Sequence, residues 1–146
     1  MTSETNIQAQ GPEVAAWALR QTRNVRNGRQ KGLLEWAVNT FGEEANDPRM
    51  RAVRFLEEAL ELFQAIYGGA GRSLAEELLK YVYRRPVGEA TQEIGGVAVT
   101  LATLAASLDA SVDELELREI ERVLHKDRAD LRAKEAAKKA AGLNPN

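Results

Sequence analysis

The chain has 146 residues, of which 44% are hydrophobic and 29% charged, with a formal net charge of −2. That balance suits one soluble domain with a real core and gives no reason to expect general nucleic-acid binding. Cysteine is absent, which excludes disulfides, zinc ribbons and thiol catalysis and makes a reducing cytoplasm the simplest compartment.

Residues 1–12 read as a disordered tail that ends at Gly11-Pro12. The first ten residues are polar, without the apolar core of a signal peptide. A helical pattern follows from Glu13 to about Asn39, anchored by Val14, Trp17, Ala18, Leu33, Leu34, Trp36 and Ala37. The polar stretch from Asn24 to Gly32 interrupts it, so one bent helix and two helices are both open. A loop from Gly42 ends at Asp47-Pro48, an N-cap acceptor followed by proline in the first turn. The next helix should run from 48 to 67 and stop at Gly68-Gly69. Ser73 with Glu76 predicts a capping box for a short helix reaching about Arg84, before Pro86 and Gly88.

A further helix is expected from Glu89 to Leu108. Ser111 with Glu114 predicts a second capping box, opening one long charged helix to about Ala140. The longest nearly apolar run, 94–108, is too short to span a bilayer, so no membrane role is expected. No strand alternation is visible, so the fold class is all-α, a helical bundle of four to five helices. The expected division is a single domain over 13–133, flanked by the tail at 1–12 and a fraying Ala/Lys-rich tail at 134–146.

Two acidic segments organise the chain: Glu57-Glu58-Ala59-Leu60-Glu61, and Glu93-Ile94-Gly95-Gly96. On the first helix, Phe55, Leu56, Ala59, Leu62, Phe63 and Ile66 occupy one half of the wheel. Arg54, Glu57, Glu58 and Glu61 occupy the other. Glu58 and Glu61 stand three apart and can converge, and a solvated face balanced by Arg54 is the competing reading. On the second helix Glu89, Gln92, Glu93, Gly96, Thr100, Thr103 and Ser107 form one polar stripe about 100° wide. The rest of that helix is apolar, so it should be central and largely buried. A buried glutamate must be paired, protonated or bound to metal, which makes Glu93 the leading functional residue. Its competing reading is an exposed acid favoured by the helix dipole.

Carboxylates on two facing helices can hold Mg²⁺, which neutralises phosphate charge and aligns water. Arg118, Arg122 and Lys126 form a basic stripe that could face such a site or simply pair with neighbouring acids. Arg84 and Arg85 lie just before Glu89. Di-iron chemistry needs Glu-x-x-His pairs from two helices, and the single histidine, His125, supplies none.

With these residues in place, the chain resembles the MazG-like, all-α nucleoside triphosphate pyrophosphohydrolases, whose pattern is Glu-Glu-x-x-Glu on one helix and Glu-x-x-Asp on the next. The segments Arg51 to Leu62 and Arg85-Pro86-Val87-Gly88-Glu89 with Gln92 to Val97 look most like phage-type members, and the resemblance covers roughly 36–126. It implies Glu58, Glu61 and Glu93 as ligands of Mg²⁺ (or Mn²⁺), and Gly96 stands where the family has an aspartate ligand. Glu89 or a water could fill that gap, or catalysis could be lost and only the fold kept.

The resemblance further implies a nucleoside triphosphate substrate cleaved to monophosphate and pyrophosphate. Glu57, Glu61 and Glu89 are the candidate catalytic residues. Arg122 and Lys126 would hold phosphates, with Arg54, Arg85 and Gln92 as further substrate contacts and Trp36 and Phe41 near the base. A homo-oligomer, dimer or tetramer, in a bacterial or phage-infected cytoplasm is expected, with no direct nucleic-acid contact. The competing function is a non-catalytic nucleotide-binding or assembly module.

Overall fold

The computed structural model describes residues 11–145. Among them there is no strand, and the all-α class is borne out. The helices are α1 (Gly11–Phe41), α2 (Pro48–Tyr67), α3 (Arg72–Tyr83), α4 (Ala90–Ser107), α5 (Val112–Leu124) and α6 (Arg128–Ala140). Short 3₁₀ turns at Glu43–Asn46 and Gly68–Gly71 lead into α2 and α3. No single helix among the described residues is long and apolar enough to cross a membrane.

The segment 24–32 does not split the first helix: α1 runs unbroken for 31 residues and already includes Gly11 and Pro12. Residues 1–10 of the expected tail lie outside the described residues. α1 ends where Gly42 takes a left-handed φ of 96° and donates its N–H to the Val38 carbonyl. Asp47 then caps α2 as expected, its Oδ1 accepting from the Arg49 N–H at 2.8 Å. The Arg49 guanidinium closes on the same carboxylate, and these hydrogen bonds hold the Asp47 carboxyl below its usual range.

Two expectations fail for local reasons. The Ser73–Glu76 capping box does not form, because α3 already starts at Arg72 and has no side-chain cap. Glu76 instead pairs with Arg72 at 3.0 Å. The long terminal helix is broken in two. His125 closes α5 with its Nδ1 2.7 Å from the Glu121 carbonyl, and Asp127 starts α6 by accepting from the N–H groups of Ala129 and Asp130. This makes six helices among the described residues rather than four or five. Residues 134–140, expected to fray, continue α6 to a defined stop. Gly142 at φ 76° lets Leu143 donate to the Lys138 carbonyl and Gly142 to that of Lys139. The Ser111 cap is present, with its hydroxyl accepting from the Glu114 N–H at 3.3 Å.

The chain divides into two compact units. One holds the described residues up to Val53 together with those from Arg132 onward; the other is Arg54–Leu131. In the first, Ala37, Thr40, Ala45 and Met50 form the buried centre. Trp36 and Phe41 meet edge to face at 5.8 Å beside it, and Lys139 reaches Glu44 at 3.4 Å. In the second unit Ala105 is the only buried hydrophobic side chain, and Gly71 is buried under the stacked rings of Phe63 and Tyr67.

The expectation of a central, buried α4 is not met within the chain. Ile94 is 69% exposed and Val99 65%, and on α2 Phe55 and Leu56 are each 53% exposed. A helix this apolar gains its burial from whatever surface covers it, and the chain itself covers only the last turns, where α4 folds back on α5. That return is tight. Asp109 takes a left-handed φ of 53°, Ala110 donates to the Ala105 carbonyl and Asp109 to that of Ala106.

Candidate functional site

The second unit holds most of the residues singled out from the sequence. It holds an apolar groove of about 560 Å³ between α2 and α4. Phe55, Leu62, Phe63 and Ile66 line one wall and Val97, Leu101 and Leu104 the other. Three of its lining side chains carry polar groups, Glu58 and Tyr67 from α2 and Thr100 from α4. An apolar cleft with few polar groups is the usual form of a small-molecule site, and also of a surface awaiting a partner.

Glu58 has a cationic neighbour. Arg122 of α5 is raised above its ordinary pKa first by its hydrogen bond to Glu119, then by the charges of Glu119 and Glu58. Glu119 is correspondingly lowered, mainly by that Arg122 hydrogen bond and last by the charge of Lys126. Arg122 pairs with Glu119 on its own helix, as the plainer sequence reading has it, and it also feels the charge of Glu58.

The other carboxylates take separate places. Glu61 lines a second crevice, beside Gln64, Gly68, Gly69 and Arg72 at the α2–α3 turn. Glu57 is held by Arg54 at 3.2 Å, with only 29% of its side chain exposed and 14% of that of Arg54. Glu93 folds back over Gly88, where an added Cβ would collide with its carboxylate. Glu93 is exposed, so the burial that singled it out is not present in the chain. Glu89 precedes α4 as its N-cap residue with no side-chain cap bond, and its carbonyl accepts from the Glu93 N–H.

The rest of the α4 stripe is occupied locally. Thr100 donates to the Gly96 and Val97 carbonyls, Thr103 to that of Thr100, and Ser107 to that of Leu104. Hydroxyls satisfied within their own helix can face an apolar neighbour at low cost, which is why a polar stripe in the sequence need not mark a wet face. Around Gly96 nothing stands within 4 Å of where a Cβ would be.

Arg85 lies over the Tyr81 ring at 5.5 Å, and Gln92 is exposed on the first turn of α4. Trp36 and Phe41 belong to the first unit and pack against each other as core-edge aromatics. Among the described residues no group of three or more Asp, Glu, His or Cys side chains stands together to hold a metal ion. The Mg²⁺ implied by the sequence resemblance thus finds no three-carboxylate donor set among the described residues.

Comparison with protein-family profiles, curated proteins and solved structures gave no match.

Proposed function

We propose that this chain hydrolyses nucleoside triphosphates to the monophosphate and pyrophosphate, in the manner of the MazG-like enzymes, and does so as a homo-oligomer. The observation that carries the reading is Glu58, which lines the α2–α4 groove and whose charge is the weakest of those that act on Arg122 of α5. An acid in an apolar cleft, with a cation in electrostatic range, supports recognition of a nucleotide. The motif Glu57-Glu58-Ala59-Leu60-Glu61 with Glu93 supports it from the sequence.

In this reaction the water oxygen bonds to the α-phosphorus. The bond from that phosphorus to the oxygen bridging to the β-phosphate breaks, and pyrophosphate leaves with that oxygen. A carboxylate takes the water proton. Glu89, exposed at the start of α4, is better disposed for this role than Glu57, whose carboxylate is engaged by Arg54. Arg122 and Lys126 hold the phosphates, and their charge offsets the negative charge that builds on them.

The exposed apolar side chains of α2, α3 and α4, which a second copy would cover, support the homo-oligomeric part of the reading. The alternative, a nucleotide-binding or assembly module without catalysis, is favoured by one observation: Gly96 offers no ligand atom beyond its backbone, and the space beside it is open.

The test is pyrophosphate release from a panel of ribo- and deoxyribonucleoside triphosphates with Mg²⁺ or Mn²⁺. Wild type is expected to turn over, and Glu61→Gln and Glu93→Gln to fall by about 100-fold or more. Equal rates in all three proteins would sink the enzyme reading in favour of the module.

A further inference from the structure

The net charge of −2 is an average over two very different parts. Residues 14–34 contain Arg20, Arg23, Arg26, Arg29 and Lys31 and no acid, which leaves −7 for the rest of the chain. All five cations lie on α1, within a stretch of about 17 Å at 1.5 Å per residue.

Their arrangement is as telling as their number. At about 100° per residue, Arg20, Arg23, Arg26 and Lys31 share one face about 160° wide with Asn24, Asn27 and Gln30. Every one of these seven side chains is exposed. The half-buried Arg29 falls on the opposite side of the helix, beside Val25.

We infer that this face of α1 binds double-stranded DNA, with the helix entering the major groove. Arginine and lysine neutralise phosphates, and this gives most of the sequence-independent affinity. Asparagine, glutamine and arginine are also the side chains whose paired donors and acceptors match adenine and guanine edges in the major groove. A groove about 12 Å wide admits an α-helix, whereas the major groove of A-form RNA is too deep and narrow for side chains to read.

Anionic membrane is the other polyanion to weigh. A surface-lying helix needs a broad apolar face opposite its cations. Between Arg20 and Lys31 the opposite side holds Gln21, Thr22, Val25, Gly28 and Arg29, only one of them apolar, and the other apolar residues of that side, Val14, Trp17, Ala18 and Leu33, lie beyond the cationic stretch. The amides on the basic face have no use at a lipid surface and a direct one at base edges.

The experiment measures binding of the full chain to a labelled 30-base-pair duplex across a salt series. With four cations on the face, log K should fall with log salt at a slope of about −3 to −4. The triple variant Arg20→Gln, Arg23→Gln, Lys31→Gln should bind at least about tenfold more weakly at 0.1 M salt, with a slope near −1. Its circular dichroism and its pyrophosphate release should match wild type, which separates this face from the α2–α4 groove. No duplex binding by wild type at low salt, or an unchanged slope in the variant, overturns the inference. So does tighter binding to the corresponding single strand, or binding to phosphatidylserine vesicles as tight as to duplex.

Discussion

Gly96 sits in the polar stripe of α4, three residues after Glu93, and it is where an aspartate would complete the acidic pattern. Space is not the obstacle to a side chain there, since no atom lies within 4 Å of the Cβ position and the backbone is ordinary helix. Replacing a mid-helix glycine with aspartate gains a few tenths of a kcal/mol in propensity, so the variant should fold. Gly96→Asp is expected to raise pyrophosphate release about tenfold at limiting Mg²⁺, with melting temperature unchanged or slightly higher. A fall in rate would mean that Glu89 or a water already serves the position that the new carboxylate obstructs.

Among the elements, the 3₁₀ turn between α2 and α3 packs on α2 through a contact that leaves no room for a side chain. Phe63 and Tyr67 stack at 4.6 Å, and a Cβ on Gly71 would come within 2.6 Å of Tyr67 Cβ and 2.9 Å of Phe63 Cε1. The first of these atoms is fixed to the helix and cannot swing aside. Gly71→Ala should therefore destabilise the protein by about 1–3 kcal/mol, read as a lower midpoint in urea unfolding. An unchanged midpoint would show that the α2–α3 turn relaxes without loss.

The same scale explains what was legible in advance. Asp47-Pro48, Gly68 and Ser111 with Glu114 act through neighbours within four residues, and each marks its helix end as the sequence predicts. Asp127 and Gly142 are equally local signals, an N-cap and a left-handed stop, but the charged periodicity around them masks both. Ser73 shows the reverse. Its spacing to Glu76 is right, yet Arg72 captures the carboxylate and the preceding 3₁₀ turn has already started the helix. The site was less legible, because a wheel gives direction and not company. It puts Glu58 and Glu61 on one side of α2, while the fold sends them to two different crevices. It groups Thr100, Thr103 and Ser107 with Glu93, while their hydroxyls turn to their own backbone.

For the molecule as a whole, the assembly proposed above rests on the exposure of apolar side chains on α2, α3 and α4. Tyr81 and Val82 on α3 join Phe55, Leu56, Ile94 and Val99 in being more than half exposed. Monomers rarely leave apolar patches beyond a few hundred Å² uncovered, and burying one such side chain contributes about 1.5–3 kcal/mol. Light scattering should give a multiple of the 16.1 kDa chain mass. Val99→Glu, a charge placed on the bare side of α4, should shift that mass towards the single chain. A wild-type mass of one chain would remove the assembly on which the proposed active form depends.

The central claim is the chemistry, and product identity tests it most directly. Wild-type protein would be incubated with a deoxyribonucleoside triphosphate and Mg²⁺, and the products separated by anion-exchange chromatography. The account predicts monophosphate and pyrophosphate in equal amounts, appearing together from the first time points. Diphosphate with inorganic phosphate, or triphosphate left intact across the panel, would contradict it.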